Sequence, residues 1–110
     1  MMVIYEVNLT VQRTILVEYT HWLYEHIQQM LAIPGFQDAQ LFKSIDQSDL
    51  REVLFVVHYQ IESENALNHY FEHQAPEMRA DGLRRFGSQF TATRRILSPT
   101  QSSFRYNERS

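Results

Sequence analysis

Residues 63–97 read SENALNHYFEHQAPEMRADGLRRFGSQFTATRRIL, and the fold turns on how this stretch divides. Leu67, Tyr70 and Phe71 recur at helical spacing, and after the Ala75–Pro76 step so do Met78, Gly82, Leu83 and Phe86. Ser63 is a natural cap for the first of these helices. Pro76 suits the opening turn of the second, where a missing N–H costs nothing. Gly87 suits a left-handed helix end, and Gln89 to Leu97 then reads as a strand. The unit is helix, step, helix, stop, strand.

Working outward, the upstream chain supplies what this unit covers. Val3, Tyr5, Val7, Leu9 and Val11 alternate with Ile4, Glu6, Asn8 and Thr10, the period of a strand with one apolar face. From about Thr14 the period changes. Leu16, Tyr19, Leu23, Ile27 and Met30 make a helical stripe, widened by Ile15, Trp22 and His26, until Pro34-Gly35 breaks it. Phe36 to Ile45 reads as a weaker strand, interrupted by Gln37, Asp38, Gln40 and Lys43. The run Asp46-Gln47-Ser48-Asp49 is a hairpin turn. Val53 to Ile61 is the strongest strand, with Val53, Phe55, Val57, Tyr59 and Ile61 on one face and Leu54, Val56, His58 and Gln60 on the other. Residues 1–97 are expected to form the domain. Residues 98–110, polar and carrying Pro99, form a tail that Phe104 and Tyr106 could pin.

Composition bounds the rest. With 110 residues the chain supports one small domain, and 44% hydrophobic with 13% aromatic residues argues for a compact core. A net charge of −3 gives no general attraction to nucleic acid or anionic membrane. The absence of cysteine removes disulfides, thiolate nucleophiles and sulfur-rich zinc sites. The opening MMVIYEVNLTV lacks a basic leader region and is interrupted by Glu6 and Asn8, so it reads as a strand; a cytoplasmic protein is expected.

The order β-α-β-β-α-β is the split unit of a ferredoxin-like α+β fold: a four-stranded antiparallel sheet with two helical crossovers on one face. The other face then carries Ile4, Glu6, Asn8, Leu54, Val56, His58 and Gln60, a set too apolar to leave in water. A homodimer with sheet facing sheet is the economical solution, in the manner of a dimeric α/β barrel.

Several stretches carry a resemblance. MVIYEVNLTV, HWLYEHI, the PGF before the second strand, and above all YFEHQAPEMRADGLRRFGSQFTATRRIL are similar to a bacterial family, a domain of unknown function among the dimeric α/β barrels. The likeness spans about residues 2–97. It is most specific at Ala75-Pro76, Arg79, Arg85-Phe86-Gly87, Phe90, Ala92 and Arg94. It departs at Gln28, where the family pattern has a proline, so the first helix is expected to run straighter. The resemblance implies the fold and a dimer but no activity. At the level of the fold alone, the superfamily includes cofactor-independent quinone-forming monooxygenases, heme-degrading enzymes and chlorite-dismutase-like proteins.

Four residues are candidates for a pocket: Trp22, His26, Asn8 and His58. Trp22 and His26 lie one helical turn apart and could line a space between helix and sheet, with His26 as acid or base. As plain core, Trp22 would fill volume and His26 would satisfy a carbonyl or a tyrosine hydroxyl. Asn8 and His58 fall on neighbouring strands of the mixed face. With Glu6, Gln60 and Arg94 or Arg95 they could form a polar network, or a ligand cavity within the dimer. His69 and His73, with Glu72 beside them, have metal-ligand spacing, but no third ligand is evident and they read as a solvated helix face, so no metal is expected. Ile4-Tyr5-Glu6-Val7-Asn8-Leu9 imitates an RNA-recognition strand, yet the partner strand lacks its stacking aromatics and nucleic acid is not expected. Arg79, Arg84, Arg85, Arg94 and Arg95 are read as pairing with Glu72, Glu77 and Asp81.

No catalytic signature and no cofactor motif is present. The expectation is a homodimeric ligand-binding or interaction module, its partner a second copy of itself and its ligand small and hydrophobic or aromatic. The alternative is a cofactor-independent monooxygenase or related small-molecule enzyme.

Overall fold

The structure, a computed structural model, describes residues 1–46 and 49–100. Strand β1 (Val3–Gln12) leads through a short 3-10 turn (Arg13–Ile15) into helix α1 (Leu16–Leu31). Strands β2 (Phe36–Lys43) and β3 (Glu52–Ile61) follow, then helices α2 (Glu64–His73) and α3 (Ala75–Phe86), and strand β4 (Phe90–Leu97). All pairings are antiparallel and the sheet order is β2-β3-β1-β4, the ferredoxin-like arrangement. Strand β1 is therefore central. Its Glu6 lies across from His58 of β3 on one side and Arg95 of β4 on the other.

The alternation read in β1 and β3 holds by face, although Val7 is only partly buried and Glu6 is buried on the opposite side. Val3, Tyr5, Leu9 and Val11 are buried with Val53, Phe55, Val57, Tyr59 and Ile61 beneath the helices. From α1 come Tyr19, Trp22, Leu23, Ile27 and Met30, and from α2 Leu67 and Tyr70. Fully burying each of these large side chains contributes about 1.5–3 kcal/mol, so the helix–sheet layer carries the fold.

The local signals act as their chemistry requires. Ser63 Oγ accepts from the Ala66 N–H at 3.1 Å and caps α2, and Pro76 occupies the first turn of α3. Gly35, at φ +91°, turns the chain out of α1, so close to α2 that a Cβ would sit 2.6 Å from that of Ala66. Gly87 has the positive φ expected of it, +54°, but its ψ of −129° is not that of a left-handed helix end. It swings the chain straight toward β4.

Two further expectations need correction. Leu83 is 57% exposed, because the buried stripe of α3 runs Ala75, Gly82, Phe86 and leaves Leu83 a hundred degrees round the helix from Gly82. Strand β2 stops at Lys43 rather than Ile45, and Ile45 is 98% exposed. Of the hairpin turn, Gln47 and Ser48 lie outside the described residues, as does the tail from residue 101, including Phe104 and Tyr106.

Candidate functional site

The four sequence candidates fall on two faces of the sheet. Trp22 and His26 lie on α1 beneath the helices, whereas Asn8 and His58 lie on the open face, with the sheet between the pairs.

On the open face, Glu6 is the centre. Its Oε1 accepts from Arg95 Nε at 2.7 Å and from Asn8 Nδ2 at 2.9 Å, and its Oε2 lies 2.7 Å from His58 Nε2. These partners cover the carboxyl so well that Glu6 is only 5% exposed although it faces away from the core. The hydrogen bond from Arg95, then that from Asn8, outweigh desolvation and hold its pKa down at about 2. Arg95, not Arg94, is the arginine of this network. Every carboxylate oxygen is engaged, so the cluster ties three strands together and has no vacant acceptor at its centre.

Beneath the helices lies a cavity of about 50 Å³. Tyr19, Trp22 and His26 of α1 form one wall. Trp22 and His26 stack with ring centroids 4.6 Å apart at 18°, and Tyr19 meets Phe86 and Phe90 at 5.0 and 5.1 Å. The floor is Tyr5, Val7 and Tyr59, and α3 closes the slot with Met78, Arg79 and Gly82. Gly82 lets the indole approach, since a Cβ there would stand 3.0 Å from Trp22. Asp81 accepts the indole N–H at 2.8 Å and so joins α1 to α3. Nothing in the spacing of residues pointed to that bond, which spans 59 residues. The helical spacing did mark both of the side chains that flank the stack.

The polar atoms of this slot are unusual. The Tyr19 hydroxyl and His26 Nδ1 are both buried with no hydrogen-bond partner among the described residues. Burial lowers the His26 pKa, Asp81 partly opposing, so its imidazole is held neutral; burial likewise raises Tyr19 and Tyr59, and takes Tyr70 to about 12. The slot thus holds protonated phenols and an uncharged base. Two cations also line it. Arg79 donates to the Tyr5 hydroxyl at 3.2 Å and lies 5.8 Å from the Phe71 ring centre, rather than pairing with Glu77. Arg94 reaches in from β4. Only Arg84 and Arg85 pair with Asp81 as expected, at 3.7 and 4.0 Å.

His69 and His73 lie on the exposed face of α2 with ring centroids 4.2 Å apart and tilted at 44°, and Glu72 is 3.8 Å from His73. Among the described residues no three potential ligands converge on a metal position, and no helix is long and apolar enough to cross a membrane.

Solved structures share the fold. A candidate antibiotic biosynthesis monooxygenase from Deinococcus radiodurans superposes with a TM-score of 0.73 at 11% identity, covering 96% of this chain and 99% of its own. SnoaB from Streptomyces nogalater, described as a cofactor-independent oxygenase, gives 0.68 at 15% identity over 91% of this chain and 95% of its own. Rv0793 from Mycobacterium tuberculosis gives 0.68 at 19% identity over 94% of this chain and all of its own. Identities this low carry the architecture alone. No protein with a curated description matches the sequence. Residues 2–100, from the start of β1 through the whole helix–sheet unit, match the family described as Domain of unknown function (DUF4286), and the chain belongs to that family.

Proposed function

We propose that this chain is a homodimeric small-ligand-binding module, with the slot under α1 and α3 as its ligand site and the open sheet face as its dimer contact. The observation that carries the reading is the pair of buried, unpartnered polar atoms, Tyr19 Oη and His26 Nδ1, in an otherwise aromatic enclosure. Buried polar groups are nearly always hydrogen-bonded, so a pair left open in one slot calls for partners, which a bound ligand would supply. At about 50 Å³ the slot holds a few waters, while an apolar cavity of about 150 Å³ is what admits a benzene. A ring compound therefore enters by displacing Met78, the flexible apolar side chain of the roof. The ligand is small, flat and apolar with a polar edge.

The test uses Trp22, the only indole in the chain. Small aromatic compounds should change its fluorescence and raise the melting temperature by mass action. A broad panel giving neither response, with ordered waters bonded to Tyr19 and His26 in a crystal, overturns the reading.

A second reading is a cofactor-independent oxygenase, favoured by the neutral imidazole stacked on Trp22 and by the fold shared with SnoaB. His26 would take a proton from an electron-rich ring substrate. The resulting anion would reduce dioxygen, one oxygen entering the ring as a carbonyl and the other leaving as water. One dioxygen consumed per carbonyl formed, lost in His26→Gln, would establish this reading; binding without oxygen uptake would leave the module.

A further inference from the structure

Charge among the residues that line the slot is one-sided, with Asp81 bonded to the indole from outside that lining. No aspartate or glutamate lines the cavity, while Arg79 and Arg94 both do, and His26, also in the lining, is held neutral. The arginines nearby have found acids: Arg95 has Glu6, and Arg84 and Arg85 share Asp81. Among the described residues Arg94 has no ion-pair partner. It nevertheless stands on the helix-facing side of β4, in register with Val7 and between Ala92 and Ile96, where a strand would ordinarily place an apolar residue. Its charge is felt around the enclosure, drawing down the pKa values of Tyr19, His26 and Tyr70. A guanidinium without a counterion beside an aromatic cavity is a ready receptor for a planar anion, which it can grip through two parallel N–H bonds.

We propose that the slot's occupant is an aromatic carboxylate, its ring against Trp22 and its carboxyl group between Arg94 and Arg79, with the Tyr19 hydroxyl as a third donor. This rests on the ligand-binding reading above and names the class of compound that site takes. Tyr19 fits the role, because burial keeps its phenol protonated and its hydroxyl has no other acceptor. Arg79 fits it as well. Its bond to the Tyr5 hydroxyl is long, at 3.2 Å, and that hydroxyl is a neutral acceptor which a carboxylate readily replaces.

The experiment compares acids with amides of the same shape. Benzoate and 2-naphthoate are titrated against benzamide and 2-naphthamide on the full chain, following the single indole N–H resonance of Trp22 and the melting temperature. Acids should bind about tenfold or more tightly than amides, as expected when a charged acceptor is exchanged for a neutral one, and the preference should shrink with added salt. Arg94→Gln should abolish the preference and Arg94→Lys should restore part of it. Met78→Ala, which opens the roof, should tighten both classes and keep their ratio. Equal binding of acids and amides, or a preference surviving Arg94→Gln, overturns the carboxylate while leaving a ligand site. No response from any of the four compounds, in wild type or Met78→Ala, overturns the carboxylate together with the ligand-binding reading.

Discussion

Two ionisable groups, on opposite faces of one sheet, respond to acid for different reasons. Glu6 has its pKa lowered to about 2 in the folded chain, so its network stabilises the fold fully above the ordinary carboxylate range. That contribution is lost as pH falls from about 4.5 toward 2. Glu6→Gln should flatten the acid limb of the curve of melting temperature against pH, and an unchanged limb would remove Glu6 from the account. His26 is also lowered, by burial, so the unfolded chain takes up its proton first and stability declines as pH drops below the ordinary histidine value. Trp22→Phe removes both packed volume and a hydrogen bond to a carboxylate, and should cost about 2–3 kcal/mol in denaturant unfolding. The sequence marked Trp22, His26, Asn8 and His58 through helical spacing and strand alternation. It also set the two pairs on different faces, but periodicity reports which face of an element a side chain takes and not what stands opposite. Asp81 under the indole and the vacant Arg94 belong to that unreadable part.

At the scale of elements the sequence was far more legible. Caps, breakers and alternation are local, and each acted within its own few residues: Ser63 caps α2, Pro76 opens α3, Gly35 and Gly87 turn the chain. What misled was the edge of a stripe, as at Leu83, where one residue's rotation decides burial. Ser63→Ala should cost about 1 kcal/mol by uncovering the Ala66 N–H. Gly35→Ala should cost more, since it adds a strained positive φ to a 2.6 Å contact with Ala66. Urea unfolding of the two variants side by side ranks them; an equal or reversed order would mean that α2 shifts freely away from the loop.

For the whole molecule the open sheet face is decisive. Val56 lies at its middle, in register with Asn8 of β1 and Phe42 of β2, and Phe42 and Leu54 are exposed beside it. If a second copy covers this face, sedimentation at micromolar concentration should give twice the chain mass. Val56→Asp should then give monomers that remain folded, because an unpaired charge is costly only where it is buried. A wild-type monomer would refute the dimer. Truncation after Ser98 should leave the melting temperature unchanged, and a large fall would mean that the remaining residues dock. The mixed composition of this face is what led to the expectation of a partner on it. The sequence could not say which arginine would neutralise Glu6, since two successive residues of β4, Arg94 and Arg95, offered one to each face.

The central place of β1 has a consequence for how the chain is made. Its Glu6 waits for His58, 52 residues on, and for Arg95, 89 residues on. During synthesis the middle strand is thus among the first to emerge and the last to be completed. While α2 and α3 are being added, β1 and β3 can already pair, yet one edge of β1 stays open and its carboxylate lacks its arginine. Contacts this distant in sequence close slowly, and an open edge accepts strands from other chains. The interval before Phe90–Leu97 arrives is the chain's window for aggregation, and the final strand acts as the seal.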